Sequence, residues 1–112
     1  MRIYKILLPS EWAEFAAAGR FEGSPFDRSS GFIHCSSRDQ VAGVIACLFP
    51  DEPLLILVAI DADAMGEAVR WEQVADEGVF PHVYAPVPMS AVVEVRELSE
   101  REAAGPAGAV GE

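Results

Sequence analysis

The sequence predicts an α+β fold, one small domain over residues 1–98 with helices early and strands late. Three observations carry this. Leu54 to Ile60 is an unbroken apolar run, the pattern of a strand buried on both faces. In the N-terminal half, two segments behind Ser10 and Ser37 repeat apolar residues at helical spacing, predicting two helices. From Val69 onward, short strand-like segments follow one another through tight turns, which predicts a mixed or antiparallel sheet.

The first strand runs from Ile3 to Leu8, and Pro9-Ser10 ends it. Ser10 is the expected N-cap of the first helix. Glu11 and Glu14 in its first turns suit the helix dipole, and Trp12, Phe15 and Ala16 form its apolar face. Gly19 stops it. Phe21 to Ser30, rich in Gly, Ser, Pro and Asp, reads as a loop. It is either an ordinary connection or a lid that contacts ligand through Ser24, Asp27 and Arg28.

Gly31 to Ser37 reads as a short strand running into a capped helix. Alternation places Phe32, His34 and Ser36 on one face and Ile33 and Cys35 on the other. Ser37 and Gln40 have capping-box spacing, and Val41, Val44, Ile45 and Leu48 form the helix's apolar stripe. Phe49 to Pro53 breaks the helix. After the central strand come a turn at Asp61–Gly66, a short strand at Val69–Glu72 and a turn at Asp76–Gly78. The strand Val79–Ala85 contains Pro81, which predicts an edge position or a bulge. Pro86 to Ser90 is an irregular crossing. Ala91 to Leu98 alternates Val93 and Val95 against Glu94 and Arg96, a strand with one wet face. Residues 99–112 turn to Glu, Ala, Gly and Pro and are expected to be a disordered tail.

Composition narrows the function. At 112 residues and 51% apolar, the chain suits one domain with a buried core. Its longest apolar run is too short to cross a membrane. The N-terminus shows no signal-peptide pattern, so a cytoplasmic location is expected. Cys35 and Cys47 fit neither a zinc ribbon nor a CxxC pair and read as reduced core residues. The net charge is −10, of which the tail contributes only −2 through Glu100, Arg101, Glu102 and Glu112. That charge argues against nucleic acid and anionic membranes as partners. The expected partner is a small-molecule ligand, and no feature names a protein partner.

The two histidines, His34 and His82, both lie in the pattern Phe-x-His-x-hydroxyl: Phe32-x-His34-x-Ser36 and Phe80-x-His82-x-Tyr84. The matched frames suggest that two strands line one site. Cys35 falls on the face opposite His34, which argues against a Cys-His nucleophile pair.

Several elements resemble domain-of-unknown-function family 952: Ile3-Tyr4-Lys5-Ile6, Trp12, Gly19-x-Phe21-x-Gly23-Ser24, Asp27, Gly31 to Ser36, Gln40-Val41, Trp71-Glu72 and Phe80 to Tyr84. The resemblance runs in order from Ile3 to Leu98. That family's fold resembles the ADP-ribosyltransferases, which bind NAD in a cleft between two small sheets. The resemblance therefore implies a split sheet and NAD as a substrate. It puts Lys5 where those enzymes usually have a histidine or arginine, and Ile33-His34-Cys35-Ser36 at their second-strand element. Their late glutamate has no counterpart beside His82 and Tyr84; Glu72 is the nearest acid in a comparable setting.

On this reading, Glu72 stabilises positive charge on the ribose as the nicotinamide bond breaks. His34 and Ser36 hold that ribose, Trp71 or Tyr84 stacks on the nicotinamide, and His82 is the general acid or base. The catalytic set is thus His34, His82 and Glu72, and the ligand-binding set is Lys5, Ser24, Asp27, Ser36, Trp71 and Tyr84. An enzyme of this kind would be an ADP-ribosyltransferase or NAD glycohydrolase. Two other readings remain: a non-catalytic ligand-binding module with a pocket lined by Phe32, His34, Trp71 and Tyr84, and a metal site built from His34, His82 and Glu72.

Overall fold

The structure is a computed structural model and describes residues 1–99. At its centre is β4 (Leu54–Asp61). It pairs antiparallel on one side with β1 (Arg2–Leu7) and on the other with β8 (Val92–Ser99). Leu55 to Ile60 are all buried, as an unbroken apolar run requires. Each larger side chain buried this way contributes roughly 1.5–3 kcal/mol. One face of this sheet packs Ile3, Leu7, Ile56 and Ile60 against Phe15 of α1 (Pro9–Ala18). The other packs Ile6, Leu55, Leu57 and Leu98 beneath Val41 and Ile45 of α3 (Val41–Leu48).

A second sheet carries both histidines. β5 (Val69–Val74) and β6 (Gly78–Val83) form a hairpin, and β3 (Ile33–His34) pairs with the far side of β6. A short ribbon joins β2 (Arg20–Phe21) to β7 (Val87–Pro88). Every strand pairing is antiparallel, so the fold is α+β with antiparallel sheets. The two larger sheets are linked where Tyr4 and Ser36 exchange backbone hydrogen bonds, each 2.8 Å.

Several expectations are corrected. The first helix is capped at Leu8, not Ser10: Pro9 takes the first helical position, and the Glu11 carboxylate accepts the Leu8 N–H at 2.9 Å. Residues 25–30 are not a loop but a helix, α2 (Pro25–Ser30). Ser24 caps it, Pro25 opens it, Asp27 completes the capping box, and Gly31 ends it at φ 90°. The 61–66 turn contains a further helical turn, α4 (Ala62–Met65).

Pro81 lies in β6, the middle strand, not at an edge. It is tolerated because β3 is only two residues long. Pro81 sits just past the β3 ladder, where its carbonyl accepts from Cys35 N and no donor is needed. β8 is an edge strand wet on both sides: Val93 and Val95 are exposed along with Glu94. Leu48 and Cys47 are exposed at the end of α3, so Cys47 is not a core residue. β8 ends at Ser99, and the expected tail beyond it lies outside the described residues. Among the described residues, no helix is long and apolar enough to cross a membrane.

Candidate functional site

His34 and His82 are direct cross-strand partners in the β3–β6 ladder. The matched Phe-x-His frames thus become one surface. Directly opposed residues share a face, and the ring centroids are 5.8 Å apart, edge to face. Phe32 stacks on His82 at 4.0 Å and reaches Tyr84 at 5.4 Å. Phe26 of α2 stacks on His34 at 4.3 Å, nearly parallel. Arg70, opposite His82 on β5, lies over the Tyr84 ring at 4.7 Å.

Each imidazole is held by a carboxylate at Nδ1. His34 Nδ1 is 2.7 Å from Asp27 Oδ1, and His82 Nδ1 is 2.7 Å from Glu72 Oε1. Burial would push the Asp27 carboxyl up, but Lys5 and hydrogen bonds from His34 and Ser24 outweigh it and hold the group below the usual carboxylate range. Hydrogen bonds from Tyr84 and then His82 lower Glu72 in the same direction. Both carboxylates are therefore ionised at neutral pH, and Nδ1–H must be the donor in each pair. Among the described residues, neither Nε2 has a protein partner, yet no buried side-chain nitrogen is left unpaired. Neither Nε2 is therefore fully occluded, although the His82 ring is largely buried.

Asp27 is the most heavily bonded group at the site. Its side chain takes Lys5 Nζ at 3.1 and 3.0 Å, the Ser24 N–H at 2.9 Å and the His34 N–H at 3.1 Å. Lys5 also donates to the His34 carbonyl at 2.9 Å. Lys5 and Asp27, both expected to bind ligand, are buried beneath His34. Both bond to His34 and fix its backbone and ring. Ser24 serves as the cap of α2. Ser36 is also buried, and its backbone bridges to Tyr4.

Glu72, His82 and Tyr84 do come together: the Tyr84 hydroxyl donates to Glu72 Oε1 at 2.7 Å. That bond pushes the Tyr84 phenol upward. Trp71 does not join them. It neighbours Glu72 in the strand and so projects to the opposite face. Burial pushes the Cys35 thiol up to about 12, which leaves it protonated and inert as a nucleophile. Among the described residues, no three His, Cys, Asp or Glu side chains are arranged to hold a metal. The His34–His82–Glu72 ligand set is therefore not formed among the described residues.

Phe26 and Arg70 belong to this surface and were absent from the candidate residues. Phe32 was already placed on the His34 face by alternation, and its ring is the contact between the two histidine strands. A groove of about 290 Å³ is lined by Phe32 and Tyr84 together with Asp27, Arg28, Ile33 and Val83, and neither histidine lines it.

No curated protein matches the chain. Among solved structures, it is similar to the crystal structure of protein CC0527 from Caulobacter crescentus, at 39% identity and a TM-score of 0.84, covering 88% of this chain and 87% of that one. A double mutant of that protein gives 40% identity and a TM-score of 0.84, covering 88% and 87%. Its solution NMR structure gives 40% identity and a TM-score of 0.76, covering 88% and 84%. Residues 6–95 match the model of a family described as a protein of unknown function, DUF952. With most of its length matched in this way, the chain belongs to the DUF952 family.

Proposed function

We propose that the histidine face binds a small nucleotide-class ligand, with NAD the first candidate, and that His34 and His82 exchange protons with it through Nε2. The observation that carries this is the pair of cross-strand imidazoles, each held at Nδ1 by an ionised carboxylate and each without a partner at Nε2 among the described residues. Such a pair can donate at one position while accepting at another. Aromatic faces at Phe26 and Tyr84 suit a planar base, and Arg70 supplies positive charge. The groove of about 290 Å³ is at the lower end for a small-ligand pocket.

The resemblance to ADP-ribosyltransferases supports NAD as that ligand. Both hydrogen bonds to Glu72 fall on Oε1, which leaves Oε2 for positive charge developing on a ribose as its bond to nicotinamide breaks. His82 would take a proton from the incoming hydroxyl or water. A second reading, binding without turnover, is favoured by the openness of the face. Tyr84 is exposed and Glu72 partly so, and an open face does not exclude water.

The test uses the two histidine ring signals in NMR. Saturable movement of both on adding NAD is the expected result, followed by an assay for nicotinamide release that separates turnover from binding. If NAD and simpler nucleotides leave both signals still, the nucleotide reading is wrong. Movement of both by zinc alone would revive the metal reading.

A further inference from the structure

On the opposite side of β1 lies a small polar depression. Tyr4 and Lys5 are neighbours in β1 and therefore project to opposite faces. Lys5 reaches Asp27 under the histidines, whereas Tyr4 lines a depression of about 30 Å³ beside α3. Leu57 and Ala59 of β4 form its floor. Its walls are three arginines, Arg2, Arg38 and Arg96, with Glu94. The chain has only eight Lys and Arg residues against eighteen Asp and Glu, so three arginines at one depression stand against the overall charge.

Glu94 does not neutralise all three. It pairs with Arg2 at 2.7 Å. Among the described residues, Arg38 and Arg96 have no carboxylate partner, and the Tyr4 hydroxyl has no hydrogen-bond partner. Two arginines and a tyrosine thus line one small cavity with no acceptor of their own among the described residues. Guanidinium donors match tetrahedral oxyanions, and the two uncompensated charges match a dianion. The volume is about that of a single small group, with no room for a larger ligand to enter whole.

We propose that Tyr4, Arg38 and Arg96 form a binding site for a phosphoryl group, separate from the histidine face. The phosphate oxygens accept from both guanidinium groups and the Tyr4 hydroxyl. The Arg2–Glu94 pair borders the site and bridges β1 to β8 across β4. The phosphoryl group belongs either to inorganic phosphate or to a phosphomonoester whose remaining part lies in solvent.

The experiment titrates the full chain with inorganic phosphate, and separately with the phosphomonoester AMP, at constant ionic strength. It follows the arginine Nε–H NMR signals alongside the two histidine ring signals. The expected result is saturable movement of two arginine signals, absent in Arg38→Gln and Arg96→Gln respectively, and no movement of the histidines by phosphate. Each substitution should weaken binding at least tenfold, since a charge-assisted hydrogen bond is lost. Arg96→Lys keeps the charge and should retain part of the affinity, which separates a lost contact from a damaged fold. Tighter binding of AMP than of phosphate identifies an esterified phosphoryl group, and equal binding identifies the free ion. Equal movement by chloride shows general screening and overturns the site. So does phosphate moving the histidines while the arginines stay still. Because the two sites report through different side chains, loss of one does not imply loss of the other.

Discussion

The two histidine–carboxylate pairs have the same chemistry built inside out. At the first, the Asp27 side chain is 1% exposed and the His34 side chain 27%. At the second, the His82 side chain is 7% exposed and Glu72 38%. One pair therefore anchors its carboxylate in the core and presents the ring. The other buries its ring under Phe32 and leaves the carboxylate at the surface. Asp27 is also tied to Lys5, whereas Glu72 is tied to the exposed Tyr84. The difference teaches that the first pair is a part of the folding energetics and the second is an adjustable surface group. A chemical change at Asp27 must pass through the core, and one at Glu72 need not.

The largest test of this contrast is Asp27→Asn. It leaves the Lys5 ammonium buried without its counter-charge, so the expected loss is about 3–5 kcal/mol in urea unfolding. Adding Lys5→Met to Asp27→Asn should recover part of that loss, because the unpaired charge is removed. A cost no greater than that of a surface substitution would break the comparison.

The acid limb of stability should depend on the same residue. Asp27 has a folded-state pKa below its unfolded value, so its contribution is fully present above the ordinary carboxylate pKa. It is lost as pH falls from there through the depressed folded-state value. Unfolding free energy measured against pH should fall through that range in the parent chain and fall less in Asp27→Asn.

Gly23→Ala tests the seat of Asp27 by geometry alone. Gly23 has φ 109°, and a Cβ there would lie 3.0 Å from Asp27 Cβ, so both backbone and neighbour must yield. A loss of more than about 1 kcal/mol is expected, with the His34 ring signal moved and that of His82 little changed.

The smallest effect on stability is expected from Glu72→Gln. Its readout is local: the Tyr84 phenol, now without a carboxylate acceptor, should titrate lower, nearer an ordinary tyrosine. Ultraviolet titration of the phenolate, with Tyr84→Phe to assign the signal, measures this directly. An unfolding midpoint shifted as far as that of Asp27→Asn would erase the distinction between the two pairs.

Much of this architecture was readable in the chain. The run Leu54–Ile60 has no polar position to offer solvent, so it had to be an inner strand. Alternation alone assigned Phe32 and His34 to one face and Ile33 and Cys35 to the core side. The helix α2 was readable too, since Ser24-Pro25-x-Asp27 followed by Gly31 is a complete start and stop signal. Its polar composition suggested a loop because six residues bury only Asp27. Trp71 and Glu72 could have been separated by the same alternation that grouped the histidines.

Local pattern determined which residues share a face, where helices start and stop, and which strand must be innermost, because these follow from backbone periodicity and the fate of unpaired peptide groups. Register and long-range partners were decided only by the tertiary structure. Nothing near His34 in sequence says that His82 stands opposite it. Nothing near Lys5 says that its ammonium will meet an aspartate 22 residues away beneath the same histidine. Such pairs form because each group, once buried by packing of the sheets, loses its water and must find its hydrogen bonds in whatever chain segment the fold brings beside it.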